Sequence, residues 1–266
     1  MRPSRLFRIS VGALFSLRNV WLGGGIYCAF ILTCLMALDK QGPGPRGLFD
    51  LIADLYGLHG STNQLMFVSV GIPMIVITMT QLMKFKDRGS FLTKMKSRFQ
   101  IFHLYVIAAI VYSIVFTVLI LLFSWAVGGL IAGFGNTWLR ADGSVSWLIH
   151  NPQRFQSVLP HLATYKVVAA LFVTKFLGFL MIAFLTLFLK CWIKNDGLIL
   201  IVLVILAGIE MFGPFPISFF ITPAVLVLEN WINPISILFH CAYLFIVSLA
   251  LYGITGMIYE RRDFLS

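Results

Sequence analysis

Residues Ile101–Val127 read IFHLYVIAAIVYSIVFTVLILLFSWAV, with no Asp, Glu, Lys or Arg anywhere in the run. Wound as an α-helix, this stretch is roughly 40 Å long at ~1.5 Å per residue. The hydrocarbon core of a bilayer is ~30 Å thick. A water-soluble helix of this length would show a polar face, and none is present. A spanning segment must satisfy its own backbone hydrogen bonds in lipid, so the stretch is expected to be helical.

Five further apolar blocks flank it: Val20–Leu38, Leu65–Met83, Val167–Leu189, Leu198–Phe215 and Ile235–Tyr259. Each is close to the ~20 residues a crossing needs. The whole chain has 266 residues, of which 59% are apolar and 11% charged. A soluble domain would carry roughly a quarter charged residues. The expected fold is therefore all-α and polytopic, a single membrane domain over residues 1–266 with six spans. Residues 1–19 form a basic, amphipathic stretch, with Arg5, Arg8, Gly12, Ser16 and Asn19 in one polar stripe at helical spacing. Such a helix suits the membrane interface. The run after it is too long for the apolar part of a signal peptide and reads as a retained span.

The net charge is +10, carried mostly in short segments between the blocks. Segments 1–20, 84–100, 190–196 and 260–266 hold 14 Lys and Arg. Segments 39–64, 132–166 and 216–234 hold five. That asymmetry predicts that the first set, with both termini, faces the cytoplasm. The same charge attracts anionic membrane lipids. No nucleic-acid-binding motif accompanies it.

Soluble chemistry is hard to place on this chain. There is no P-loop, no H-E-x-x-H and no G-x-S-x-G. Cys28, Cys34, Cys191 and Cys241 form no C-x-x-C pair, and His59, His103, His150, His161 and His240 are scattered. No metal site, no catalytic residue and no cofactor is expected in the chain. Two charges do fall inside blocks, Lys175 in the fourth and Glu210 in the fifth. Helical rise puts both ~10–14 Å below the outer boundary. An isolated charge at that depth costs roughly 2.5–3.5 kcal/mol, so the two are expected to form an intramembrane pair, with a role in gating or a substrate path as the alternative. Beyond Phe212 the chain is broken by Gly213, Pro214, Pro216 and Pro223. Segment 213–234 is expected to be an outer re-entrant or interfacial helical pair.

The segment 84–100, between blocks two and three, has six basic residues and one acidic, Asp87. It contains Asp87-Arg88-Gly89-Ser90-Phe91-Leu92, then Met95, with Phe91, Leu92 and Met95 able to share one helix face. Together with the basic first helix, the broken segment 213–234 and the ending Tyr259-Glu260-Arg261-Arg262-Asp263-Phe264, this layout resembles the permease subunits of type-2 ATP-binding-cassette exporters. Ser90 stands where that family usually has threonine. The resemblance implies that Asp87, Gly89, Ser90, Phe91, Leu92 and Met95 belong to a coupling helix that meets a cytosolic ATPase dimer. It also implies a second identical or related permease subunit, and ATP and Mg bound only in the partner ATPase. The implied activity is export of an amphipathic or hydrophobic cargo (peptide, antibiotic or lipid-like) across a bacterial cytoplasmic membrane. A self-contained secondary transporter or channel is the alternative. A membrane-embedded enzyme ranks below both.

Overall fold

The computed structural model describes residues 3–39, 47–86, 98–212 and 218–261. All regular structure in them is helical. Helices α1 (Pro3–Ser16), α2 (Arg18–Asp39) and α3 (Leu48–Ile52) open the chain. Then α4 (Gln64–Met66) runs through a π-helical turn (Phe67–Gly71) into α5 (Ile72–Lys86). The longest helix is α6 (Arg98–Ala132), followed by the short α7 (Ser144–Ile149) and α8 (Pro152–Val158). Next come α9 (Thr164–Trp192) and α10 (Asp196–Phe212), two short helices α11 (Ile221–Ala224) and α12 (Leu228–Ile232), and finally α13 (Pro234–Arg261).

Five of these segments are long and apolar enough to cross a membrane: Val20–Leu38, Gln64–Lys84, Gln100–Ala132, Thr164–Trp192 and Pro234–Arg261. The fold is thus an all-α polytopic one, as the apolar blocks require. The remaining block is α10, a helix of 17 residues, or ~25 Å at ~1.5 Å per residue. Its predicted end at Phe215 lies outside the described residues.

Helix α9 is the most buried of the long helices and packs on α5, α6 and α13. Helices α2 and α13 are the least buried. Leucine, isoleucine and phenylalanine side chains such as Phe30, Leu238, Phe239 and Ile246 stand exposed on them. In water such a surface would aggregate; in lipid it matches its solvent.

The two ends of the bundle differ. At one end the Asp196 carboxylate joins three helices, accepting from Lys190 Nζ at 2.6 Å and pairing with Lys84. Burial acts to raise the Asp196 carboxyl, but hydrogen bonds and charge from Lys190 and Lys84 outweigh it and hold the group below its ordinary value. Helix α1 docks at this same end. Ser10, Ala13 and Leu14 are its buried face, and Ser10 Oγ donates to the Leu104 carbonyl at 2.8 Å, early in α6. Arg8, Gly12 and Ser16 of the predicted polar stripe stay exposed.

At the opposite end the three long connections fold together into a cap with its own apolar core. Leu48, Phe49, Trp138, Val145, Phe155 and Trp231 are among its buried members. The Trp138 ring packs 5.5 Å from Phe49 and 5.4 Å from Trp231, so one indole touches both other connections. Asp50 supplies the polar staple. It accepts from Trp138 Nε1 at 2.7 Å, Ser144 Oγ at 2.6 Å and the Gly47 amide at 2.9 Å. Burial pushes its carboxyl up, the three donors pull it back, and the nearby charge of Asp54 adds to the rise. The Leu228 amide donates to the Leu55 carbonyl at 2.8 Å and ties the third connection to the first. Local signals explain the helical turns here. Asn151 caps α8 by accepting from the Gln153 and Arg154 amides, with Pro152 at the first helical position.

Candidate functional site

Three irregularities meet on one side of α9, just below the cap. The first is the π turn Phe67–Gly71. Pro73 lies two residues beyond it, and inside an α-helix a proline lacks an N–H donor and crowds the carbonyl four residues back. One extra residue in the preceding turn relieves both conflicts. The turn also aims Phe67 into the bundle, where its ring stacks on Phe179 at 5.1 Å and 13°. Gly71 lets the turn approach closely, since a Cβ there would lie 3.1 Å from the Phe179 ring.

The second irregularity is Lys175, which is 2% exposed. Its ammonium donates to the Ala224 carbonyl at 2.6 Å and sits 5.5 Å from the centre of the Phe67 ring. A desolvated cation over an aromatic face gains ~2 kcal/mol or more. The ring and the carbonyl together replace the water that the group has lost.

The third is the broken chain around α11. A single turn of helix leaves N–H groups bare at its start and C=O groups bare at its end. Within lipid each bare group costs several kcal/mol, so protein must supply the partners. Glu210 does so at the start. Its carboxylate accepts from the amides of Phe220 at 3.0 Å, Ile221 at 2.9 Å and Thr222 at 2.6 Å. Lys175 does so at the end, through Ala224. Tyr243 of α13 adds donation from its hydroxyl to the Ser218 and Phe219 carbonyls, at 2.9 and 3.1 Å. Gly178 makes room for the turn, because a Cβ there would stand 2.7 Å from the Ala224 Cβ.

Lys175 and Glu210 therefore do not form the ion pair that their matching depth predicts. No ion pair joins them among the described residues. Each spends its charge on the backbone of α11, one at either end, and they are linked only through that turn. Depth along a helix is one coordinate; the lateral direction is set by which face each residue occupies.

The other predicted residues fall as follows. Pro223 is buried inside α11. Gly213, Pro214 and Pro216 lie outside the described residues, as do Asp87, Gly89, Ser90, Phe91, Leu92 and Met95. Among the described residues no three His, Cys, Asp or Glu side chains converge as a metal site would require. Four contributors to this arrangement were missed by sequence reasoning: Phe67, Pro73, Gly178 and Tyr243. Pro73 inside an apolar block was the available signal. Gly178 and Tyr243 have no signal without the fold. The arrangement offers no nucleophile–base pair; what it can do is hold or release a short, buried piece of backbone. Comparison of the chain with protein-family models, with curated proteins and with solved structures finds no match.

Proposed function

We propose that the chain is the membrane-spanning permease subunit of an exporter driven by a separate ATPase, working as one of two such subunits. The observation that carries this reading is the docking of α1. It packs beside α6, the helix into which the segment 84–100 leads, with Ser10 bonded to Leu104. Helix α1, the end of α5 and the start of α6 thus belong to one end of the bundle, and the cap belongs to the other. That end carries the basic excess, so it is the cytoplasmic end, and the membrane is a bacterial cytoplasmic membrane with both termini inside. The cargo is amphipathic or hydrophobic, because the long helices offer apolar walls with few polar groups. ATP binding and hydrolysis by the partner would bias the populations of inward- and outward-facing states.

A self-contained secondary transporter needs intramembrane ionisable groups free to exchange an ion. Lys175 and Glu210 are engaged with the backbone of α11, which favours the ATP-driven reading.

The test targets the segment between α5 and α6. Leu92→Asp with Met95→Asp should leave membrane insertion intact, since both residues lie outside the apolar blocks. Retention of a co-expressed ATP-binding-cassette ATPase during purification should fall at least tenfold. Loss of a buried anchor residue at an interface costs ~2 kcal/mol or more, and ~1.4 kcal/mol is a factor of ten. A doubly changed protein that inserts, keeps its ATPase and transports normally would remove the support for the coupling role.

A further inference from the structure

The outward face of α2 carries an open groove lined by Arg18, Trp21, Leu22, Gly25, Ile26 and Ala29. Its three successive glycines divide sharply by what surrounds them. A Cβ at Gly23 would collide with Met74 Sδ, and one at Gly24 would lie 3.6 Å from Leu119. These two serve packing inside the protein. A Cβ at Gly25 would meet nothing within 4 Å. The hollow that Gly25 leaves is therefore not explained by any contact among the described residues.

The mouth of the groove is basic. Arg18 opens α2, is exposed, and has no ion-pair partner among the described residues. A cation at the N-terminus of α2 opposes that helix's own dipole, and a bound anion at Arg18, by the elbow between α1 and α2, would relieve this. The elbow is also held in place. Trp21 Nε1 donates to the Phe15 carbonyl at 3.0 Å, and the two rings lie 5.9 Å apart. From Arg18 to Ala29 the helix rises ~16 Å. One leaflet of the hydrocarbon core is ~15 Å, half of the ~30 Å total.

We infer that this groove is a binding site for an anionic phospholipid, with the phosphate at Arg18 and one acyl chain along Leu22, Gly25 and Ala29. Charge and length select this occupant over a second copy of the chain. A two-fold partner would present the same patch to itself, setting Arg18 against Arg18 at one depth. The inference needs the bilayer but not the ATPase, so it stands apart from the transport reading.

The experiment compares the thermal stability of detergent-purified protein titrated with phosphatidylglycerol or phosphatidylcholine. Wild type should gain stability from phosphatidylglycerol at lower concentration than from phosphatidylcholine. One basic residue near an anionic surface contributes ~1 kcal/mol, so Arg18→Gln should raise the half-maximal phosphatidylglycerol concentration about fivefold and abolish the preference. Gly25→Leu fills the hollow from a Cβ that itself meets nothing within 4 Å, so it should not lower the lipid-free stability and should weaken binding of both lipids. Equal response of wild type to the two lipids would overturn the inference, and so would an Arg18→Gln protein that keeps the preference. If Gly25→Leu instead turns a dimer into a monomer by light scattering, a second copy fills the groove and the lipid site is refuted.

Discussion

Glu210→Ala should lower the melting temperature of the purified protein by roughly 6–12 °C, the equivalent of ~3 kcal/mol in a chain of this size. The carboxylate accepts from three consecutive amides at the start of α11. Removing it strands all three. An unsatisfied buried donor costs ~1–3 kcal/mol, and hydrogen bonds to a charged group contribute more than neutral ones. The full sum is not expected, because Thr222 is exposed and its amide can find another partner. Glu210→Gln keeps an acceptor oxygen and should cost about a third as much. The partner at the other end of the turn gives the discriminating comparison. Lys175→Met fills similar volume but leaves the Ala224 carbonyl bare. Sites coupled through one shared element are not additive. Once either end is released, the second loses less, so the Lys175→Met, Glu210→Gln double variant should lose less than the sum of the singles. Strict additivity would mean that the two charges do not act on a common turn.

Gly178→Leu should be at least as damaging. The added Cβ alone would lie 2.7 Å from Ala224 Cβ and 3.3 Å from the Phe67 ring. A leucine has three more carbons to place in the same space. Overpacking a well-filled core costs ~1–3 kcal/mol, and here the atom that must retreat belongs to α11. Moving it also lengthens the Lys175 bond to the Ala224 carbonyl, so an unpaired buried cation adds to the steric cost. Gly253→Ala is the control on a neighbouring helix. A Cβ at Gly253 meets nothing within 4 Å, and alanine is better than glycine inside a helix by up to ~1 kcal/mol. Thermal unfolding of the two variants should thus move in opposite directions. Equal, small losses would mean that α11 does not press against α9 at Gly178.

The membrane bundle was legible because its signal is one-dimensional. Long uncharged runs such as Ile101–Val127 report a crossing without any knowledge of neighbours. The depth of Lys175 and Glu210 was legible for the same reason. What they touch was not, since α11 comes from a segment whose prolines signalled only a break. The cap was the larger omission. Residues 132–166 read as a loop because α7 and α8 are too short to set a period. Their core exists only when Phe49, Trp138 and Trp231, far apart in sequence, come together. Ser61 shows the consequence. It looks like an exposed loop serine, yet it is fully buried, at the base of the cap. Gly143 likewise sits where a Cβ would collide with the Thr137 carbonyl.

Those two positions would be poor reporters of sidedness, but His59 and Ala141 are exposed on the same connections. With Cys28, Cys34, Cys191 and Cys241 replaced by serine, single cysteines at His59, Ala141, Ser90 and Ser266 can be exposed to a membrane-impermeant thiol reagent on intact cells. In the proposed orientation the cap is outside, and the basic end, with the proposed coupling segment 84–100, is inside. Cysteines at 59 and 141 should label before lysis, and those at 90 and 266 only after it. Labelling at position 90 from outside, or protection of 59 and 141, would contradict it, because no cytosolic ATPase could then reach the segment that is proposed to receive it.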